Sequence, residues 1–224
     1  VFHCTKDDFT YIAGQFITLH IEKEGKILRR SYSLAQAPEQ ASSTQQVEFA
    51  AGYVQDGPAS ELLFNLMPGD VVTASGPFGR LILKDAAETQ PKRYIFVSTS
   101  TGVTPFKAML ETLSERFLAH PEMKVALLEG VQKRQDILYD QDFLAFAEKH
   151  PQFSFYACYS REEKDNLKPH ERSGYVQSIF SELNLNPHED LVYYGLEYKF
   201  ISEYLRKLIS ITELEHKLGI AIHQ

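Results

Sequence analysis

An arginine and a tyrosine two residues apart, Arg30 and Tyr32, are where chemistry first shows in this sequence. They stand in the run Lys26-Ile-Leu-Arg-Arg-Ser-Tyr-Ser-Leu-Ala35, rich in β-favouring residues and followed by Pro38, which predicts a strand over 26–34. Alternate side chains of a strand share a face, so Leu28, Arg30, Tyr32 and Leu34 are expected together. A guanidinium forks onto a phosphate, and an aromatic ring lies flat on a planar heterocycle. A flavin nucleotide carries both features. Taken alone, Arg30-Ser31-Tyr32-Ser33 fits an ordinary strand with an exposed Arg and a half-buried Tyr better than it fits a ligand site.

Three further stretches carry the same kind of chemistry. Gly57-Pro58-Ala59-Ser60 precedes the apolar run Glu61–Met67, and Pro58 fits an early helix position. Backbone N–H groups there, with the Ser60 hydroxyl, would form an anion site. Alone this is a plain helix cap; with Arg30 upstream it suits a pyrophosphate. Ser98-Thr-Ser-Thr-Gly-Val-Thr-Pro105 joins a strand to a helix, so hydroxyls and N–H groups converge where a dinucleotide phosphate would sit. It is not the Gly-x-Gly-x-x-Gly fingerprint. Ser160-Arg161 follows another strand, and Arg161 is either a 2′-phosphate fork or a solvated member of the charged run 161–165.

Arg-x-Tyr-Ser at 30–33, Gly-x-x-Ser at 57–60, Gly76-Pro77-Phe78-Gly79 and Thr-Gly-x-Thr-Pro at 101–105 occur in this order, after a Gly14-Gln15-Phe16 turn. Over nearly the whole chain this set resembles the ferredoxin–NADP reductase family of flavoprotein reductases. The resemblance implies two domains, an antiparallel β-barrel FAD-binding domain followed by an α/β parallel-sheet NAD(P)-binding domain. It implies that Arg30, Gly57 and Ser60 hold the FAD pyrophosphate, that Tyr32 packs on the isoalloxazine, and that Ser33 bonds near flavin N5. An ideal strand would point Ser33 away from Tyr32, so that role needs a twist or a strand end. Thr101, Gly102 and Thr104 would hold NAD(P)H, with Ser160 and Arg161 favouring NADP slightly over NAD.

The chain also departs from the family. Ser100 replaces the first Gly of Gly-Thr-Gly-x-x-Pro, and Tyr175 stands where many relatives carry a basic residue. Tyr194 replaces the Cys of Cys-Gly-x-Pro, so Tyr32, Ser33 and Tyr194 are the residues expected at the reacting rings. The barrel's first strand is not visible, and lies upstream of Val1 or is absent. The implied activity passes electrons from NAD(P)H through FAD to ferredoxin, flavodoxin or an iron–sulfur oxygenase component. The alternative is a flavin-binding regulatory or degenerate reductase module with weak NAD(P)H use, in a larger complex.

Residues 1–88 are predicted as the first domain, with strands over 15–21, 26–34, 46–54 and 71–75, a hairpin at Glu24-Gly25 and a loop over 39–45. A polar linker spans 84–92. From 92 to 224 strands (94–99, 125–129, 153–159, 191–194) alternate with helices (106–118, 140–149, 175–183, 197–209), the pattern of a parallel sheet covered on both faces. Ligands bind such sheets at the carboxyl ends of strands, here 98–105, 129–135, 159–162 and 194–198. The 224 residues are 43% hydrophobic and 24% charged, as in a globular protein. No apolar run is long enough to span a bilayer and no signal-peptide pattern opens the chain, so a cytoplasmic location is the default expectation. A net charge of −7 argues against nucleic acid as a main partner. Cys4 and Cys158 cannot ligate an iron–sulfur cluster by themselves and are expected as unpaired thiols. The eight histidines show no metal-ligand spacing, so no metal is expected.

Overall fold

The structure, a computed structural model, describes residues 1–6, 8–84, 92–162, 165–186 and 189–195. The expected helix over 197–209 and most of the 84–92 linker lie outside the described residues.

The N-terminal part is built on a hairpin. Strands β2 (Phe16–Lys23) and β3 (Lys26–Ser33) pair antiparallel across the full predicted length. Glu24 and Gly25 turn it with φ of 52° and 70°, both left-handed, as a tight two-residue hairpin requires. β2 alternates in burial, with Ile17, Leu19 and Ile21 inward. Strand β5 (Thr73–Phe78) pairs with the other side of β2, giving the order β3-β2-β5.

A second, two-stranded antiparallel sheet pairs β1 (Phe2–His3) with β4 (Gln46–Val47). The predicted strand 46–54 is cut to two residues, extended by one bridge between Leu34 and Phe49. Tyr53 and Val54, which continue the apolar character of the run, are 68% and 63% exposed and pair with no strand among the described residues. The predicted loop 39–45 is instead helix α1 (Pro38–Thr44), with Pro38 in its first turn and Gln45 closing it in a left-handed conformation. Helix α2 (Pro58–Leu63) falls where expected.

The C-terminal part is a five-stranded parallel sheet of order β10-β6-β7-β8-β9. Its strands are β6 (Arg93–Thr99), β7 (Lys124–Val131), β8 (Phe153–Tyr159), β9 (Glu171–Ser173) and β10 (Asp190–Gly195). β9 was not visible in Glu-Arg-Ser, which has no apolar pattern. β6 and β7 are buried along almost their whole length, as strands covered on both faces are. One face packs Phe96, Leu127 and Tyr193 against α3 (Thr104–Ala108), α4 (Leu110–Ala119) and α5 (Asp140–Lys149). The other packs Ile95, Val97 and Val192 against α6 (Ile179–Leu183). The predicted helix 106–118 is broken at Met109, whose N–H turns back to the Phe106 carbonyl at 3.2 Å.

The two parts meet closely. Ala13 and Leu81 join the core of the parallel sheet. Gly14, at φ 101°, sits so tightly at this junction that a Cβ there would lie 1.8 Å from the Leu81 carbonyl oxygen of its own part and 2.6 Å from Met109 Cε of the other.

Candidate functional site

From β6 the chain steps outward to β7, β8 and β9, then returns to the far side of β6 as β10. The topological switch point is therefore between β6 and β10, and the crevice beyond their carboxyl ends is the expected ligand site. Two segments meet there. A single 3₁₀ turn, Ser100–Val103, carries β6 into α3, and Gly195 ends β10 beside it. A Cβ on Gly195 would lie 2.1 Å from the Gly102 carbonyl oxygen, so only glycine admits this approach. Ser100 takes a left-handed φ of 48°. The turn needs a conformation that favours glycine, and here a serine adopts it.

Thr101 and Gly102 are half-buried at the crevice. Thr104 is not a lining residue. It is buried, and its Oγ donates to the Thr101 carbonyl oxygen at 2.6 Å, holding the turn from within. Tyr194 lies on the sheet face that packs α6, opposite to α3. Burial pushes its phenol up to about 12. Tyr194, expected at the reacting rings, packs on that face with the cluster that holds Val97 and Val192.

In the N-terminal part β3 is the edge strand of its sheet, and Tyr32, Arg30 and Leu28 are registered with Ile17, Leu19 and Ile21. The three thus share the core-side face, as expected. Leu28 and Tyr32 pack on that core while Arg30 is exposed, its Nη1 donating to the Arg29 carbonyl at 2.8 Å. The Tyr32 ring is backed by Phe49, with centroids 4.8 Å apart and planes 30° apart. Burial raises the Tyr32 phenol above its ordinary value, and the Arg30 charge partly opposes this. Ser33 is registered with Phe16 and projects to the face opposite Tyr32.

Gly57 precedes α2 and forms its N-cap. Ser60 is buried, and its Oγ accepts the Val54 N–H at 2.8 Å. That bond closes the loop before the helix, so the hydroxyl faces inward and not toward an open anion site. Arg30 and Tyr32 fit a flavin nucleotide: a ring supported on one side and a guanidinium with no ion pair to a carboxylate among the described residues sit on one strand face.

Ser160 and Arg161 follow β8. Ser160 Oγ donates to the Val131 carbonyl at 3.3 Å, and Arg161 is exposed with its N–H on the Gln132 carbonyl at 2.9 Å. The neighbouring Gly174 N–H bonds the Tyr159 carbonyl at 2.8 Å, which brings Tyr175, 68% exposed, to the same sheet edge. Cys158 is a buried free thiol pushed up to about 12 by burial, and Cys4 is free as well. Among the described residues no cluster of three or more His, Cys, Asp or Glu is placed to hold a metal, and no helix is long and apolar enough to cross a membrane.

Two polar clusters were not read from the sequence. Buried Glu171 accepts a fork from Arg134 Nε and Nη2 at 3.1 and 2.9 Å, together with the Tyr159 hydroxyl and the Lys168 N–H. Lys107 pairs with Glu48 at 3.1 Å and lies 4.3 Å from the centroid of the Tyr139 ring. The strand-end window 129–135 caught Arg134 without a role. Glu48, Lys107 and Tyr139 lie too far apart in sequence for any spacing to join them.

Residues 2–82 match the oxidoreductase FAD-binding domain family and residues 96–194 the oxidoreductase NAD-binding domain family. The chain thus carries both cofactor-binding domains of a flavin- and nicotinamide-dependent oxidoreductase. It is 32% identical over 176 residues to a ferredoxin–NADP reductase B of Sorangium cellulosum, covering 78% of this chain and 67% of that one. It is 28% identical to the toluate 1,2-dioxygenase electron transfer component of Pseudomonas putida, covering 84% of this chain and 51% of that one. A crystal structure of a ferredoxin NADP⁺ reductase from Neisseria gonorrhoeae with bound FAD and NADP superposes with a TM-score of 0.72 at 21% identity, over 99% of this chain and 85% of that one, and shares the fold. The chain belongs to the ferredoxin–NADP reductase family.

Proposed function

We propose that this chain is an FAD-dependent NAD(P)H oxidoreductase that passes electrons to a one-electron acceptor, a ferredoxin, a flavodoxin or an iron–sulfur oxygenase component. The observation that carries this reading is the shared face of Arg30 and Tyr32 on the edge strand β3. FAD, when bound, supplies the redox chemistry, taking two electrons from NAD(P)H and releasing them singly. The protein supplies position, charge and exclusion of water. Arg30 neutralises the pyrophosphate, and the Gly57 loop presents backbone N–H groups to it. Tyr32, fixed by Phe49 behind it, offers its other face to the flavin, and its raised pKa keeps the phenol neutral.

The turn 100–103 and Gly195 receive the nicotinamide end of NAD(P)H, with Thr101 and Gly102 in contact and Thr104 holding the turn. Ser160, Arg161 and Tyr175 take the adenosine end. In this reading the FAD domain spans 1–88, the NAD(P) domain spans 92–224, and the protein works in the cytoplasm.

The test begins with an absorbance spectrum after FAD reconstitution of the full chain, followed by anaerobic addition of NADPH or NADH. Flavin bands near ~370 and ~450 nm that bleach with either nucleotide are expected. Arg30→Ala is expected to lose FAD while the fold persists, because the side chain is exposed. A wild-type chain that takes up no FAD refutes the assignment of Arg30 and Tyr32.

A further inference from the structure

The segment between β7 and α5 holds a tyrosine in an unusual backbone state. Tyr139, at the N-cap of α5, has φ 58° and ψ 21°. A bulky residue stays in that left-handed region only where its surroundings over-determine it, and such residues cluster at functional sites. The surroundings here are specific. The amide just before it, Leu138 N–H, donates to Oε1 of the buried Glu129 at 3.0 Å. Lys107 Nζ lies over its ring, 4.3 Å from the centroid. Burial raises its phenol above the ordinary tyrosine range, the Glu48 carboxylate adds to the rise and the Thr104 hydroxyl opposes it. Lys107 also pairs with Glu48 at 3.1 Å and with Asp142 at 3.8 Å.

Two lines of contact leave this cluster in opposite directions. One runs into the N-terminal part. The Glu48 carbonyl accepts the Ala35 N–H at 2.8 Å, and the next residue, Phe49, bridges to Leu34 and backs Tyr32. The other runs into the turn beyond β6. Both the hydroxyl and the N–H of Thr104 bond the Thr101 carbonyl oxygen. Glu48 therefore sits one backbone bond from the segment 32–35, and Thr104 closes the 100–103 turn. Lys107 pairs with Glu48 and lies over the Tyr139 ring, and Glu48 and Thr104 both act on the Tyr139 phenol.

We propose that Tyr139, with Lys107 and Glu48, is a positioning unit that sets the separation between segment 32–35 and the turn 100–104, and so aligns the two bound cofactors. This rests on the reading above that those segments hold the flavin and the nicotinamide. Transfer between two rings needs reacting atoms about 3–3.5 Å apart, and small misplacement is costly. Binding of either cofactor alone does not depend on that separation.

Tyr139→Phe keeps the ring, the contact with Lys107 and the backbone state, and removes only the phenol oxygen. Lys107→Met is the second variant, should the first fold poorly. In the full chain without cofactors, amide hydrogen exchange is expected to quicken at 34–36 and at 101–104 together, with an unchanged unfolding midpoint. With FAD loaded, the limiting rate of flavin bleaching at saturating nucleotide is expected to fall roughly tenfold. FAD content and nucleotide Kd are expected to hold. The double variant Glu48→Gln with Tyr139→Phe falls no further than either single variant, because the residues act as one unit. Quickened exchange confined to 137–141, a weakened nucleotide Kd in place of a slowed limiting rate, or additive losses would each overturn the proposal. Should the wild type bind no FAD, the functional reading falls by itself, and the exchange experiment still decides the positioning unit.

Discussion

Glu129 offers a sharp test of how the parallel sheet is built. It is a fully buried carboxyl on β7, in register with Ser98 of β6 and Ala157 of β8. Oε1 accepts the Leu138 N–H, and Oε2 has no hydrogen-bond partner. Burial pushes its pKa up to about 8; the Leu138 N–H pulls it down, and the nearby Asp140 charge adds to the rise. The folded protein therefore keeps a proton that the unfolded chain releases above 4.5. The sign follows directly. Between 4.5 and about 8 the native state binds more protons, so the stability this group contributes falls as pH rises, and the loss is complete above the folded pKa. The slope for one such proton is about 1.4 kcal/mol per pH unit. Across two pH units that is of order 3 kcal/mol, a large share of a typical domain's stability. Glu129→Gln keeps an acceptor for Leu138 and cannot ionise. Urea unfolding of both proteins from about pH 5 to about pH 8 is the assay, with the difference between the two curves isolating this group from all other carboxyls. The variant is expected to gain on the wild type steadily as pH rises. Curves that stay parallel, within about 0.5 kcal/mol, would refute a protonated Glu129.

Two further outcomes follow from the crevice. Gly195→Ala would bring a Cβ to 2.1 Å from the Gly102 carbonyl oxygen, so the two backbones must part by about 1.3 Å to reach the ordinary contact that begins at 3.4 Å. It is expected to cost about 1–3 kcal/mol in a thermal melt and to weaken nucleotide binding in the same protein; an unaltered titration would show that the crevice lies elsewhere. Arg161→Ala, at an exposed position, is expected to leave stability within about 0.5 kcal/mol and to weaken NADPH binding selectively over NADH by calorimetry. An equal loss for both nucleotides counts against a 2′-phosphate role.

How much of this was legible in the sequence depended on whether a residue's environment was local. The β2–β3 hairpin was legible because Glu24-Gly25 sets its own turn and the alternation of Ile17, Leu19 and Ile21 sets its face. The parallel sheet was legible because strands buried on both faces show as unbroken apolar runs, as at Tyr94–Val97. The strand over 46–54 was read too long because Phe49, Tyr53 and Val54 supply the pattern while, past the single Leu34–Phe49 bridge, no described strand supplies a partner. Helix α1 was missed for the opposite reason. Ala41 alone is buried along it, so it carries no stripe, and it ends in Gln45 instead of glycine. Strand β9 forms where Glu171 gathers Arg134, Tyr159 and the Lys168 amide, contacts spread over 37 residues of chain.

The site residues divide along the same line. The placement of Arg30, Tyr32 and the 100–103 turn was legible because a strand period or a strand-to-helix turn sets it without reference to the rest of the fold. Ser60 and Thr104 were found as hydroxyls at helix starts, where a hydroxyl can cap outward to a ligand or inward to the backbone. Composition is the same in both cases, and the choice is made by which backbone groups the loop leaves unsatisfied: the Val54 amide claims Ser60, and the Thr101 carbonyl claims Thr104. In the proposed reading, binding in this crevice falls more to backbone shape than to hydroxyl chemistry. The close approach of Gly195 to Gly102 and the left-handed Ser100 make that shape. The inward hydroxyls keep it, and Tyr139 ties it to the strand that bears Tyr32.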